Sequence, residues 1–376
     1  MTISTISSFT PKAPTLMGPG PSDVSQRVLN ALAQPTLGHL DPSFVGLMDE
    51  TKQLLQEVFQ TNNQMTMPIS APGSAGMEAC FVNLVEPGDK VIVCQNGVFG
   101  GRMYQNVIRS GGEAVLIEDP WGEQTKPEKL KAALEANPDT KIVAFVHAET
   151  STGVENDAKT LCAIAKEYGC LTIVDTVTSL AGIPLYIDDW QIDASYSGTQ
   201  KCLSCVPGLS PVTFSDLALE KIKSRKTPVQ SWFLDLNLIL GYWGQGKARA
   251  YHHTAPVNSV YAFHESLVAV LQEGLENSWN RHREVHNYLK QGLESLGLEF
   301  AVDEAYRLPQ LNVVWIPKGI DDASTRAKLL NEFDLEIGAG LGEFAGKAWR
   351  IGLMGSSCTK ANVDKCVSAL TKILSN

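Results

Sequence analysis

The sequence predicts an α/β protein in which a large domain with a mostly parallel sheet is followed by a smaller α+β domain. Three observations carry this. From about Leu54 to Phe214, helix-like and strand-like segments alternate. The strand-like segments are near-continuous apolar runs. After Pro256 the pattern changes to two long amphipathic helices and scattered short strands. Strands buried on both faces read as unbroken apolar runs, as in a parallel sheet covered by crossover helices.

The elements follow in order. Gly76 to Val85 has helical periodicity and stops at the turn sequence Glu86-Pro-Gly-Asp89. Lys90–Cys94 and Glu113–Ile117 read as strands, Pro127–Glu135 as a helix, Ile142–Val146 as a strand and Ala158–Tyr168 as a helix. The run Leu171-Thr-Ile-Val-Asp175 is a buried strand ending on a carboxylate, and a further short apolar run leads into Tyr196-Ser-Gly-Thr-Gln-Lys201. Beyond Pro256, helices are expected at about Ser259–Leu275, Trp279–Leu296, Ala323–Phe333 and Lys360–Leu374. Strands are expected at Leu298–Val302, Asn312–Ile316 and Trp349–Leu353. This divides the chain into an N-terminal arm (1–20), a large domain (21–256) and a small domain (257–376), with a helix rather than a flexible tether at the boundary.

The length of 376 residues exceeds a typical single compact domain, and 44% apolar residues suffice for a sizeable core. The net charge of −10, with no strongly basic run, argues against nucleic acid or an anionic membrane as partner. No apolar stretch approaches the roughly 20 residues needed to span a bilayer. Met1–Pro14 is Ser/Thr-rich and lacks an apolar core, so a short disordered arm is expected rather than a secretory signal. The ending Lys372-Ile-Leu-Ser-Asn376 is not a peroxisomal tripeptide. Eight scattered cysteines read as small buried hydrophobes in a reducing cytoplasm. Cys202-Leu-Ser-Cys205 has no second CxxC, which weakens zinc and redox readings alike. His282-Arg-Glu-Val-His286 puts two imidazoles one turn apart and reads as a solvated helix face, since the glutamate is displaced from HExxH.

Asp175 and Lys201 both follow strand-like runs, so both would emerge at the crevice where open α/β sheets bind ligands. An amine and an acid brought together there suit an imine-forming cofactor: the amine carries the carbonyl, the acid keeps a ring nitrogen protonated. Spacing alone favours the plainer reading, a solvated lysine after a strand. Ser70-Ala-Pro-Gly-Ser-Ala-Gly-Met-Glu-Ala79 opens a helix with small residues, a phosphate site in form or an ordinary Gly-rich helix start. It is neither GxGxxG nor a Walker A loop. Phe99, framed by glycines after a strand, can lie flat on a planar ring or cap the next helix from the core. The hydroxyls of His147-Ala-Glu-Thr-Ser-Thr-Gly153 end another strand. Arg350, in an apolar strand, needs a planar anion, either a substrate carboxylate or an internal partner.

Further stretches join these: Met17-Gly-Pro-Gly-Pro21, Val82-Asn-Leu-Val-Glu-Pro-Gly-Asp89, Glu149-Thr-Ser-Thr-Gly-Val154, Tyr251-His-His-Thr254, Gly274-Leu-Glu-Asn-Ser-Trp279 and Arg350-Ile-Gly-Leu-Met-Gly355. Together they resemble the fold-type I, class V aminotransferases that use pyridoxal 5′-phosphate, over nearly the whole chain. The resemblance implies a seven-stranded, mostly parallel sheet between helices. It implies an internal aldimine at Lys201, which also shuttles a proton, with Asp175 on the pyridinium and Val177 packed on the ring face opposite Phe99. Relatives more often carry Trp at the Phe99 position. Thr150 looks like the hydroxyl near the ring oxygen, and phosphate contacts map to Gly73, Ser74, Ala75 and Gln200. Relatives often have Ser-Gly-His where this chain has Pro72-Gly73-Ser74. Tyr251 and Thr254 resemble residues donated to the neighbouring subunit's phosphate, which implies a homodimer with shared sites. Arg350 would hold the substrate α-carboxylate bidentately, with Gly20 offering backbone nearby.

The implied reaction is ping-pong amino transfer between small amino acids and 2-oxo acids, from alanine or serine to glyoxylate. No second arginine has a clear claim to a distal carboxylate. Serine–glyoxylate or ureidoglycine–glyoxylate transamination would use the same residues. A desulfurase would need a mobile reactive cysteine, and Cys358, opening a helix, is poorly placed for that. A cofactor-binding regulator would have lost the lysine or the aspartate.

Overall fold

The computed structural model describes residues 7–244 and 249–375, so the first six residues of the expected arm lie outside the described ones. Its centre is a seven-stranded sheet of β1 (Met65–Ile69), β2 (Lys90–Gln95), β3 (Glu113–Glu118), β4 (Thr140–Val146), β5 (Leu171–Asp175), β6 (Ala194–Tyr196) and β7 (Ser210–Phe214). The spatial order is β1-β7-β6-β5-β4-β2-β3. β7 runs antiparallel to both neighbours and every other pair is parallel. Apolar residues such as Ile92, Val143, Phe145, Ile173 and Val174 are fully buried, as expected for a sheet covered on both faces.

The helices of this part are α1 (Gln26–Leu32), α2 (Pro42–Phe59), α3 (Gly73–Leu84), α4 (Val98–Arg109), α5 (Pro127–Ala136), α6 (Ala158–Glu167), α7 (Asp216–Lys223) and α8 (Leu236–Trp243). Side chains cap the starts of α2, α6, α7 and α8. Asp41 accepts from Ser43 N–H ahead of α2, and Asp157 accepts from Thr160 N–H ahead of α6. α3 lies unusually close to the sheet at Gly76, where a Cβ would sit 1.9 Å from Ser210 Oγ and 3.2 Å from Tyr196 Cβ. Gly76→Ala should therefore lower stability by about 2 kcal/mol through overpacking, read as a reduced urea midpoint at unchanged slope.

Helix α9 (Val257–Glu273) lies along α1 and α2, and Gly274, with φ +86°, separates it from α10 (Leu275–Ser295). The boundary expected at 256/257 precedes a helix whose Val260, Phe263 and Leu267 belong to the larger core. A second apolar cluster gathers Val285 and Leu289 of α10, Trp349, Ile351 and Leu370, together with Met17 of the N-terminal arm. It packs around an antiparallel sheet of β8 (Leu311–Trp315), β9 (Gly338–Ala339) and β10 (Ala348–Gly352), ordered β8-β10-β9, with α11 (Asp322–Phe333) and α12 (Lys360–Leu374). The strand expected at Leu298–Val302 does not form. Only Phe300 pairs, as a single bridge to Val314, because the chain turns away at Asp303, whose side chain caps the short 3-10 turn Glu304–Tyr306. The arm joins this part of the molecule: Thr15 and Leu16 pair in parallel with Leu335 and Glu336.

His282 and His286 are buried, contrary to the solvated face expected. His282 Nδ1 meets Ser278 O at 2.7 Å and its Nε2 accepts from Gly355 N–H, while His286 Nδ1 bonds Asn312 Oδ1 at 2.6 Å. They are polar pegs between α10 and its neighbours. Burial, the main cause in each, pushes His147, His282 and His286 down to about 4. The neutral form is thus preferred in the fold, and its stabilisation is complete above the ordinary histidine value and lost as pH falls towards 4. Each contributes of order 3 kcal/mol across that window. Stability should fall steeply between pH 6.5 and 4, and His282→Gln should flatten that part of the profile. Among the described residues no helix is long and apolar enough to cross a membrane, and no His/Cys/Asp/Glu cluster could hold a metal ion.

Candidate active site

β2, β4, β5 and β6 are mutually parallel, so their carboxyl ends and the loops that follow share one edge of the sheet. There, with the start of α3, they enclose a cavity lined by Gly73, Ser74, Phe99, Thr150, Asp175, Val177, Gln200 and Lys201. Pro72, Met77, Arg102, Val146, Ala148, Thr178 and Tyr196 complete the lining.

Asp175 is the last residue of β5 and is buried. Its Oδ1 accepts from Val177 N–H and its Oδ2 from the Tyr196 hydroxyl, each at 2.8 Å. Burial pushes its carboxyl up to about 7, opposed by those two bonds, while the nearby Glu149 charge pushes it further up. Tyr196 carried no assigned role in the sequence reading. Strand pairing supplies it, since Asp175 and Tyr196 stand opposite each other in the β5–β6 register.

Lys201 lies in the loop after β6, and its Nζ donates to the Pro19 carbonyl. Burial, then repulsion from Arg350, lowers its ammonium to about 8, so a useful fraction is a free amine near neutral pH. The N-terminal arm crosses directly above it. Gly20 has φ +104°, and a Cβ there would lie 2.6 Å from Lys201 Nζ. Ser22 fastens the arm with its N–H to Gln200 O and its hydroxyl to Lys201 O.

Of the four residues expected to contact a phosphate, Gly73, Ser74 and Gln200 line the cavity and Ala75 does not. The N–H of Ala75 is committed to Pro72 O at 2.7 Å. The first turn of α3 thus closes on itself there and leaves Gly73 and Ser74 as the residues that present open backbone. Gln200 also lines the cavity, and the donor it can offer an anion is its Nε2–H, since its Oε1 is an acceptor, buried without a partner. Gly73 is held at the floor, where a Cβ would be 3.3 Å from Ser197 O and 3.5 Å from Val177 Cγ2.

Arg350, on β10, is buried and donates to Ala339 O at 2.7 Å and Thr150 O at 3.2 Å. No carboxylate pairs with it among the described residues, and burial lowers it to about 10. Arg350 is not among the residues that line the cavity; it reaches the site through the Thr150 carbonyl and the nearby charge of Glu149. Arg102 is a residue the sequence reading missed. It stands one turn beyond Phe99 on α4, with its guanidinium 4.9 Å from the Phe99 ring centroid, and it is the arginine that lines the cavity. Tyr251 and Thr254 do not reach this cavity within their own chain. Both are exposed, with their hydroxyls 3.4 Å apart.

All eight cysteines are free and buried. Burial pushes Cys202, Cys205 and Cys358 up to about 12, which makes them poor nucleophiles and ligands. Cys202 fills the space left by Gly182, where a Cβ would meet its Sγ at 2.6 Å, and it donates to Thr178 O.

The cavity thus offers a buried carboxylate and a lysine, neither in a salt bridge among the described residues, and a helix start with a side-chain amide beside it. These suit a planar group with a protonated ring nitrogen, a carbonyl and a phosphate. A family model described as aminotransferase class-V matches residues 18–347, and the chain belongs to that family of pyridoxal-phosphate-dependent transaminases. It is similar to the crystal structure of alanine–glyoxylate aminotransferase from Nostoc sp., with a TM-score of 0.96 and 45% identity over 98% of this chain and 97% of that one. It is 41% identical to alanine–glyoxylate aminotransferase of Felis catus, covering 96% of this chain and 87% of the relative. It is 37% identical to (S)-ureidoglycine–glyoxylate transaminase of Bacillus subtilis, covering 96% and 90%.

Proposed function

We propose that this enzyme moves an amino group from alanine or serine to glyoxylate, giving pyruvate or hydroxypyruvate and glycine. The observation that carries the substrate side is Arg350: a buried guanidinium on a strand beside the cavity, held by two carbonyls and paired with no carboxylate among the described residues. It suits the single α-carboxylate of a small amino acid. The alanine–glyoxylate enzymes among the relatives support the donor and acceptor.

Bound pyridoxal phosphate supplies a carbonyl that takes up the amino group and a ring that delocalises the electron pair left at Cα. Lys201, with its lowered ammonium value, would hold the cofactor through its amine and would move the proton at the substrate's Cα. Asp175 holds the ring nitrogen protonated, and the Tyr196 hydroxyl fixes the carboxylate's orientation. Gly73, Ser74 and Gln200 hold the phosphate, and Phe99 and Val177 flank the ring. Pro19 and Gly20 lie above Lys201, and the Pro19 carbonyl accepts from its amine and orients it. In a homodimer Tyr251 and Thr254, exposed in their own chain, reach the neighbour's phosphate. The buried thiols fit a cytoplasmic enzyme, and the reaction would remove glyoxylate while forming glycine.

A second donor class rests on Arg102, a cavity cation with no ion pair among the described residues. It favours donors with a polar distal group, as in the ureidoglycine enzymes. A donor scan with glyoxylate and pyruvate as acceptors, following the cofactor's absorbance, separates the readings. Alanine and serine should each convert the bound cofactor. If only ureidoglycine does so, the donor assignment is wrong.

A further inference from the structure

Glu149 is fully buried beside the cavity, and the reaction as described does not use it. Each of its hydrogen-bond partners is a donor. Oε1 accepts from Ser151 N–H at 3.0 Å and from the Ser151 hydroxyl at 2.6 Å, and Oε2 accepts from Phe99 N–H at 3.1 Å. Gly100 N–H also bonds the carboxylate. Burial pushes this carboxyl up, but the backbone N–H groups of Ser151, Phe99 and Gly100 can only donate, and they oppose that push by favouring the anion. The Ser151 hydroxyl in turn accepts from Val98 N–H at 2.9 Å.

Val98, Phe99 and Gly100 are the first three residues of α4, and their free N–H groups are all taken by residues from another segment. They have to be, since the residue before the helix, Gly97, has no side chain to cap it. Gly97 is itself imposed by the arrangement: a Cβ there would lie 2.4 Å from Glu149 Cδ and 2.5 Å from Ser151 Oγ. The same short segment reaches the opposite side of the site, where the Thr150 carbonyl accepts from Arg350 Nη1. The Glu149 charge favours the Arg350 cation and disfavours a second anion at Asp175.

We propose that Glu149 is a positioning residue: as a buried anion capping α4, it sets the Phe99 ring in register with the arginine that holds the substrate carboxylate. This rests on the reading that the cofactor ring lies on Phe99. Glu149→Gln keeps the shape but turns one acceptor into a donor facing the α4 N–H groups, and it removes the charge. It should raise the dissociation constant for pyridoxal phosphate roughly tenfold. The pH midpoint of the bound cofactor's absorbance change should also fall, because a nearby anion that favours the protonated form is gone. Glu149→Asp keeps the charge but withdraws it by one methylene, so affinity should drop while the midpoint stays near that of the parent. In a Phe99→Ala background, Glu149→Gln should add less than about twofold to the dissociation constant, since the two act through one contact.

Parental affinity and midpoint in Glu149→Gln, or full additivity with Phe99→Ala, would overturn the proposal. Parental affinity in Phe99→Ala alone removes the stacking reading on which it rests. Should Glu149→Gln not yield folded protein, Ser151→Ala carries the same cycle, with an expected rise of about threefold.

Discussion

Replacing Lys201 with alanine should reduce transamination by roughly 10⁴-fold or more while leaving the protein folded. The argument is one of chemistry and position. Lys201 is the amine that lines the cavity, and the other cation lining it, Arg102, carries a delocalised guanidinium, a poor imine former. Burial and Arg350 lower Lys201 to about 8, so attachment of the cofactor to the empty protein should accelerate as pH rises through that value. Borohydride reduction followed by peptide mapping gives the check. The parent should carry a pyridoxyl group on Lys201, and Lys201→Ala should carry none. An adduct at any other residue would remove the assignment. Lys201→Arg can still donate to Pro19 O but should be as inactive as the alanine variant, which separates the imine from the hydrogen bond.

Replacing Asp175 with asparagine should lower kcat by about 10³-fold, because an amide cannot hold a ring nitrogen protonated through an electron-sink step. Its effect on the fold should run the other way. The carboxyl sits at about 7 against an ordinary value of 3.8, chiefly from burial, so the anion is disfavoured in the folded protein. A raised carboxylate costs stability progressively as pH climbs from the unfolded value to the folded one. Without cofactor, Asp175→Asn should therefore be at least as stable as the parent at pH 7.5. With cofactor the parent should gain more, because the ring cation supplies what the carboxylate lacks. Urea midpoints with and without pyridoxal phosphate test both halves. A variant less stable than the parent in the empty form would mean that the bonds from Val177 and Tyr196 outweigh the burial term.

The placement of Asp175, Lys201 and Phe99 was legible because each follows an apolar run, and parallel strands deliver such residues to one edge. What escaped notice depends on pairing or packing across the chain. Tyr196 meets Asp175 through strand register, and Arg102 meets Phe99 through helical spacing inside a loop-like glycine sequence. Ala75 was placed by proximity in sequence, whereas the first turn of α3 consumes its N–H. β1 and β7 were not individually legible. They carry Pro68 and Pro211, which oppose each other in the antiparallel pair, and proline normally argues against a strand interior. His282 and His286 looked solvated because the groups that bury them, Gly355 and Asn312, come from later in the chain.

The arm that crosses Lys201 sets an order of assembly. Pro19 lies between Lys201 and Gly338, and the stretch before it is held by pairing with Leu335 and Glu336, near the far end of the chain. Closing that contact bridges almost the whole sequence, the slowest kind of connection for a chain to make. During synthesis the sheet and its lysine can form well before the roof over them exists. The interval is one in which the cleft stands open to solvent and to chance aldehydes, so an early-folding intermediate should be more reactive towards carbonyl reagents than the finished enzyme.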